Sequence, residues 1–283
     1  MTKRHTLFVA LGQQRYRVER PWGDIPSGGG KVTDVVCDER GHLFVLLRAD
    51  CYVDAPLPVV IELSPDGRRL GAWGEEIADG HMLSIGPDGR IYIVDRDAHE
   101  IVVFDRNGKR VGGIGQRHQP NSPFNHPCDV AIAPSGDIYV ADGYGASRVH
   151  RFNANGTLIS TWGEPGDRPG HFSTPHGIWA LADGRIAVTD RENNRLQVFS
   201  ADGALLAVWQ DFYQPMDIFQ DTSGRLYVTD KVPRLSMLAP DGTLLARCRP
   251  VLNGAHGMWG DASGNLFMAE MNPSRVTKLT PVP

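Results

Sequence analysis

Short apolar segments separated by glycine-centred turns recur along the whole chain. The stretch 175–209 shows the unit, in which Asp183-Gly184 and Asp202-Gly203 each separate two apolar runs. Asp-Gly between apolar runs is typical of β-hairpins, because glycine readily adopts the positive φ that tight hairpin turns require. No segment sustains an apolar period of 3.6 residues, so the pattern predicts an all-β chain.

This unit occurs six times. Its first apolar segment begins at residues 33, 81, 128, 176, 216 and 256, so that successive units start 40 to 48 residues apart. Four short strands at this period are typical of a β-propeller blade. The pattern therefore predicts a six-bladed propeller, and we expect a single domain over residues 1–283.

The last unit reaches Pro283 after only three strand-like segments. Near the N-terminus, RYRVERPWG at 15–23 resembles two segments that read as outer strands, RLGAWG at 69–74 and LISTWG at 158–163. An incomplete blade would leave an open sheet edge. We therefore expect the N-terminal segment to supply the fourth strand of the last blade and to close the ring.

One position of the repeat carries histidine in alternate units. His81, His176 and His256 begin the second, fourth and sixth units, whereas the other three have threonine, cysteine or methionine there. Alternate blades are about 120° apart and their first strands line the central channel, so the three imidazoles should converge on the axis. Three nitrogen donors with open coordination positions predict a catalytic zinc site, although another divalent transition metal is an alternative. The other interpretation is that each histidine caps a strand or bonds a backbone carbonyl.

Basic residues occupy a second position of the repeat, fifteen residues further along. Four of the six units have Arg48, Arg96, Arg191 and Lys231 there. Because guanidinium binds carboxylates bidentately, these residues predict a positive ring above the metal and a small carboxylate-bearing substrate. Ion pairing with acidic residues of neighbouring blades is the alternative.

Composition adds mainly exclusions. The formal charge of −4 and the 22% of charged residues do not favour nucleic acid or an anionic membrane as a partner. The apolar run at 7–11 is too short for a signal-peptide core, and no segment approaches the roughly 18 residues of a membrane span. The four cysteines lack Cys-x-x-Cys spacing, which indicates neither a disulfide framework nor a thiolate zinc site. We expect a cytoplasmic protein, and the sequence leaves its oligomeric state open.

Three stretches resemble the peptidyl-α-hydroxyglycine α-amidating lyases, which are NHL-repeat propellers: DVAIAPSGDIYVADGYGASRVHRF at 129–152, STWGEPGDRPGHFSTPHGIWAL at 160–181 and VTDRENNRLQVF at 188–199. The resemblance implies a zinc ion on three histidines, an active-site tyrosine and two substrate-binding arginines, which match His81, His176, His256, Tyr144, Arg48 and Arg191. It also implies cleavage of the N–C bond of a carbinolamide acid to an amide and glyoxylate. The tyrosine would accept the hydroxyl proton, and an arginine would hold the carboxylate.

The chain departs from that family at several positions. The aspartate that follows the last ligand in the family is Gly257 here, which argues against the structural calcium ion that the resemblance would imply. Both cysteine pairs of the animal enzymes are replaced, which fits a reducing compartment.

The sequence thus predicts a metal-dependent lyase, and two alternatives remain. A metal-dependent hydrolase or lactonase on the same propeller is one, although lactonase propellers usually bind calcium through oxygen ligands. A non-catalytic NHL interaction scaffold is the other, although a scaffold would need no set of three histidines.

Overall fold

A computed structural model describes residues 6–28, 30–49, 57–251 and 253–283. Every regular element in these ranges is a β-strand. Over the same ranges, no helix reaches the length and apolarity required to span a membrane. The first strands are β1 (Leu7–Leu11), β2 (Gln14–Trp22), β3 (Lys31–Cys37), β4 (Leu43–Arg48), β5 (Val60–Leu63), β6 (Arg69–Trp73), β7 (Gly80–Ile85), β8 (Ile91–Asp95), β9 (Glu100–Phe104), β10 (Arg110–Ile114), β11 (Asp129–Ile132), β12 (Ile138–Asp142) and β13 (Arg148–Phe152). They are followed by β14 (Leu158–Trp162), β15 (Pro175–Ala180), β16 (Ile186–Asp190), β17 (Arg195–Phe199), β18 (Leu205–Trp209), β19 (Pro215–Gln220), β20 (Leu226–Asp230), β21 (Leu235–Leu238), β22 (Leu244–Cys248), β23 (Gly257–Gly260), β24 (Leu266–Met271) and β25 (Ser274–Val282).

The strands form six antiparallel sheets, which confirms the predicted six-bladed propeller. Blades 1 to 5 are four-stranded meanders made of β3–β6, β7–β10, β11–β14, β15–β18 and β19–β22, and blade 6 has the order β1-β2-β25-β24-β23. The first strand of each blade is innermost and contacts the first strands of both neighbouring blades. The start of each first strand therefore lies at one mouth of a shared central channel.

The N-terminal segment completes the last blade, as the sequence predicts. Strand β2 pairs antiparallel with β25, from Arg15 opposite Val282 to Trp22 opposite Val276. The sequence did not predict β1, a fifth strand that pairs with the outer edge of β2 through a tight turn at Gly12. Glycine suits this turn because its φ is 64°.

Apolar side chains pack between blades. The six buried clusters of the described residues each combine side chains of two adjacent blades. Between blades 1 and 2, for example, the ring of Trp73 lies 6.3 Å from Phe44 and 4.9 Å from Phe104. Because protein interiors are close-packed, these buried clusters between the blades hold the six inner strands at fixed spacing around the channel.

Three of the four cysteines lie in the described residues. Cys37, Cys128 and Cys248 are free thiols, and Cys51 lies outside the described residues. The first two are buried.

Candidate metal centre

The three predicted ligands meet at one mouth of the channel. His81 and His176 are the second residues of β7 and β15, and His256 immediately precedes β23. All three side chains are buried. One ring nitrogen of each lies within 4.8 Å of the other two, and the ring centroids are 4.9 to 5.0 Å apart. The structure therefore brings together the histidines that the repeat predicted would converge.

Each imidazole is oriented by a backbone carbonyl of the next blade. These carbonyls belong to the residues that replace histidine in the intervening repeats. The distances from Nδ1 to the carbonyl oxygen are 2.6 Å for His81 to Cys128, 2.8 Å for His176 to Met216 and 3.0 Å for His256 to Thr33. A carbonyl can only accept, so Nδ1 carries the proton and Nε2 keeps its lone pair. Such outer contacts are typical of metal-binding histidines.

The free nitrogens and their charge state suit a metal ion. Nε2 of His176 is buried without any hydrogen-bond partner. Burial lowers the pKa of His81 and His176 well below the usual value, and the neighbouring His256 lowers both further. Burial also lowers the pKa of His256, to about 4. The imidazoles are thus neutral near pH 7, which is the state that binds metal. These residues could hold a transition-metal ion with open coordination positions.

Tyr144 lies directly over the histidines. Its hydroxyl is 3.1 Å from Nε2 of His81, and a guanidinium N–H of Arg191 donates to it over 3.2 Å. The guanidinium carbons of Arg96 and Arg191 each lie 5.3 Å from the centre of the tyrosine ring. The preceding Gly143 permits this placement, since a side chain there would collide with the chain at Pro175.

Burial raises the pKa of Tyr144, and the neighbouring Cys128 raises it further, whereas Arg191 and Arg96 lower it. The effect of burial prevails over the two arginines. The protein by itself therefore keeps the phenol protonated near pH 7.

The predicted ring of positive charge is balanced by carboxylates. Nε of Arg48 lies 2.5 Å from Asp79, and the guanidinium of Arg96 lies 2.7 Å from the same carboxylate. Arg191 pairs with Glu192 over 2.8 Å. Of these three arginines, Arg48 of blade 1 pairs with an acid of the neighbouring blade, as in the alternative interpretation of the sequence, whereas Arg96 and Arg191 pair within their own blades. Lys231 is exposed, and its contact with substrate stays a prediction.

Three buried aspartates, which were not predicted from the sequence, lie in the channel. Asp34, Asp129 and Asp217 each follow a repeat position that lacks histidine, and together they line a space of about 10 Å³ in the channel. One carboxylate oxygen of each accepts the amide of its own next residue, and the other accepts an amide of the next blade. The acceptor distances across the blades are 2.9 Å from Leu83, 2.8 Å from Ile178 and 2.7 Å from Met258. Their alternation along the chain was a signal as regular as that of the histidines.

The carboxylate of Asp34 lies against Gly257, the position at which the family has its calcium-associated aspartate. A side chain at residue 257 would collide with that carboxylate, so glycine is required there. The glycine at 257 and the buried Asp34 therefore depend on each other, because a larger residue at 257 would exclude the Asp34 carboxylate from its place.

Comparison with known proteins agrees with the fold. NHL repeats match at residues 124–152 and 172–199. A peptidylglycine alpha-amidating monooxygenase of Rattus norvegicus is 30% identical over 93% of this chain and 33% of its own length. A peptidyl-alpha-hydroxyglycine alpha-amidating lyase of Drosophila melanogaster is 30% identical over 62% of this chain and 49% of its own length. This chain spans about a third of the length of the amidating monooxygenases that it matches.

Solved structures also share this architecture. A streptogramin B lyase superimposes with a TM-score of 0.67 at 16% identity, and the match covers 94% of this chain and 98% of that one. At this identity the likeness concerns the fold alone.

Proposed function

We propose that this chain, a six-bladed NHL-repeat propeller that resembles the peptidyl-α-hydroxyglycine α-amidating lyases, is a zinc-dependent lyase. Its substrate would be a small carbinolamide acid, R–CO–NH–CH(OH)–COO⁻, cleaved to an amide and glyoxylate. The observation that carries the proposal is the convergence of three neutral imidazoles beside the hydroxyl of Tyr144, which lies 3.1 Å from His81.

His81, His176 and His256 would hold the metal through Nε2. Zinc bound there would supply a Lewis acid for a substrate oxygen and a positive charge beside the tyrosine hydroxyl, which favours proton loss from both. The all-nitrogen donor set supports zinc over calcium, which takes oxygen ligands.

Tyr144 would move the proton on which the reaction depends. Its phenolate accepts the proton of the substrate hydroxyl, and the electron pair of that O–H bond forms the carbonyl of glyoxylate. The C–N bond breaks as its electron pair passes to the amide nitrogen, which then takes the proton from Tyr144. Atoms and charge balance without an oxidant or a water molecule. The hydrogen bond from Arg191 would stabilise the phenolate before it accepts the first proton and again after it has given that proton to the amide nitrogen.

The arginines would hold the substrate carboxylate. Each guanidinium has five N–H donors, and contacts with the described residues occupy two of them on Arg48 and two on Arg191. These two residues are the proposed primary contacts, with Arg96 and Lys231 as further substrate-binding residues. A carboxylate bound here would place the adjacent carbon near Tyr144.

The test is glyoxylate release from α-hydroxyhippurate, a simple carbinolamide acid, by the purified full chain with its zinc content measured in parallel. We expect about one zinc ion per chain and glyoxylate release well above the uncatalysed rate. Changing His81, His176 or His256 singly to alanine should remove both, because each supplies one of three protein ligands. His42→Ala is the matched control, since His42 pairs with Glu62 away from the centre.

Other results would favour the alternatives. Zinc that survives all three single substitutions would end the metal-centre proposal and leave an interaction scaffold. Zinc lost as expected, with no glyoxylate formed but a lactone opened, would favour a hydrolase on the same centre.

A further inference from the structure

Asp79 joins two arginines of different blades at the rim of the metal centre. Its Oδ1 lies 2.5 Å from Nε of Arg48, and its Oδ2 accepts from the same guanidinium over 3.1 Å. The guanidinium of Arg96 lies 2.7 Å from Oδ2. One carboxylate thus bridges Arg48 of blade 1 and Arg96 of blade 2, which we call the arginine clamp.

The carboxylate is held firmly from the protein side. Asp79 immediately precedes β7, the strand whose second residue is His81. Its backbone amide donates to Oδ1 of the buried Asp95 over 2.9 Å, and its carbonyl accepts the amide of Arg96 over 3.0 Å. The bridge is therefore built onto the strand that supplies a metal ligand.

The side chain of Asp79 is more deeply buried than those of the two arginines that it binds. The Asp79 side chain is 5% exposed, whereas those of Arg48 and Arg96 are 24% and 21% exposed. Asp79 binds the guanidinium groups from inside and Asp97 accepts from Nε of Arg96, while the described residues leave further N–H donors of both arginines for a ligand. Without a carboxylate between them, two like charges at this separation would repel and turn apart.

Arg96 also connects the clamp to the proposed base. Its guanidinium carbon lies 5.3 Å from the centre of the Tyr144 ring, over the histidines. Its position therefore affects both the carboxylate site and the contact with Tyr144. Asp97 binds the same arginine over 2.9 Å but does not bridge it to Arg48.

We propose that Asp79 is a positioning residue that holds Arg48 and Arg96 together so that their free N–H groups bind one substrate carboxylate. The inference rests on the proposed function only for the ligand, a small acid. It assigns the preference for an anionic substrate to a carboxylate that never touches that substrate.

The experiment measures binding, so that it does not depend on turnover. Hippurate and its neutral amide, hippuramide, are titrated calorimetrically into the full chain as purified, and the ratio of the two dissociation constants is compared among variants. We expect wild-type protein to prefer hippurate. Asp79→Asn should reduce that preference about tenfold or more, because a charge-assisted contact is lost when the guanidinium groups separate.

Asp97→Asn is the matched control, because it removes one negative charge from the same arginine and keeps the bridge. It should retain a preference for hippurate close to that of wild type. If Asp79→Asn retains as much preference as Asp97→Asn, the positioning role is wrong. Equal binding of both ligands by wild-type protein would also overturn it.

A second variant covers the case in which Asp79→Asn does not fold. Arg96→Gln removes one arm of the clamp and should lower the hippurate preference by a similar factor, and an undiminished preference would contradict the clamp. The lyase proposal is judged separately by glyoxylate release. A hippurate preference that depends on Asp79, in protein that releases no glyoxylate, would support the clamp and refute the lyase.

Discussion

Single residues of the metal centre divide into those whose polar atoms are satisfied by the protein and those whose atoms are free. The Nδ1 atoms of the three histidines belong to the first group, and Nε2 of His176 belongs to the second. The hydroxyl of Tyr144 is shared between His81 and Arg191. A metal ion bound to Nε2 of His81 would displace the hydrogen bond between that nitrogen and the Tyr144 hydroxyl. Tyr144 is therefore the residue whose hydrogen bonding and protonation we expect metal binding to change most.

Replacing Tyr144 with phenylalanine tests that residue directly. Loss of a general base typically costs 10²- to 10⁴-fold in rate, so Tyr144→Phe should slow glyoxylate release by about that factor. Zinc content should persist, because no metal ligand is altered. Tyr139→Phe is the control, since that hydroxyl bonds the carbonyl of Ala201 away from the centre. Ready glyoxylate release by Tyr144→Phe would show that another group takes the proton.

Repetition decided which of these residues could be predicted from sequence. His81, His176 and His256 were recognisable because three equal residues fell on one repeat position in alternation. Asp79 has no equivalent in the other repeats, so only the structure places it between two arginines. The arginines themselves were predicted, but their ion pairs depend on side-chain contacts that no periodicity records, such as the contact between Arg48 and Asp79 across two blades.

Inner strands are linked by side chains that alternate around the channel. In even blades a histidine donates to a carbonyl of the following blade, and in odd blades an aspartate accepts an amide of the following blade. The strands and their order were predictable from turn spacing. The alternation of the aspartates was visible in the sequence, but their contacts were not predictable, because a lone buried acid is usually unfavourable and only the structure shows the amides that bind it.

The buried carboxylate of Asp217 predicts a pH effect on stability. Burial raises its pKa to about 7, despite two backbone amides that lower it. The folded protein therefore binds this proton more tightly than the unfolded chain, so the contribution of Asp217 to stability should fall as pH rises from about 4 to about 7. The three histidines, whose pKa values are lowered, act in the opposite direction over the acidic range.

Comparison with Asp217→Asn separates the effect of the aspartates from that of the histidines, since both proteins contain the histidines, whereas Asp217 also raises the pKa values of the neighbouring Asp34 and Asp129. The free energy of unfolding, measured by urea titration from pH 4.5 to pH 8, should give a wild-type advantage over Asp217→Asn that shrinks as pH rises. A constant difference across that range would show that Asp217 is ionised throughout.

The whole molecule is a ring in which every blade contacts the next, and its N-terminal and C-terminal strands meet within one blade. Blade 6 does this through β2 and β25, and the sequence showed the closure because the β2 segment resembles other outer strands. It did not predict β1, whose exposed Leu7 and Phe8 lack the alternation typical of a half-buried strand. The metal centre lies on the axis of this ring, so its geometry depends on closure.

Deleting residues 1–23 should therefore weaken the entire propeller. Strand β2 buries Tyr16, Val18 and Trp22, and each such side chain contributes roughly 1.5 to 3 kcal/mol. Its loss also exposes the edge of β25 to pairing with other chains. We expect aggregation, or a melting temperature lowered by about 10 °C or more. Deletion of residues 1–13 removes β1 but keeps β2, and it should cost much less because β1 buries mainly Leu11. If the two truncated proteins have the same melting temperature, the ring does not depend on β2. The remaining three strands of blade 6 would then hold the histidines in place by themselves.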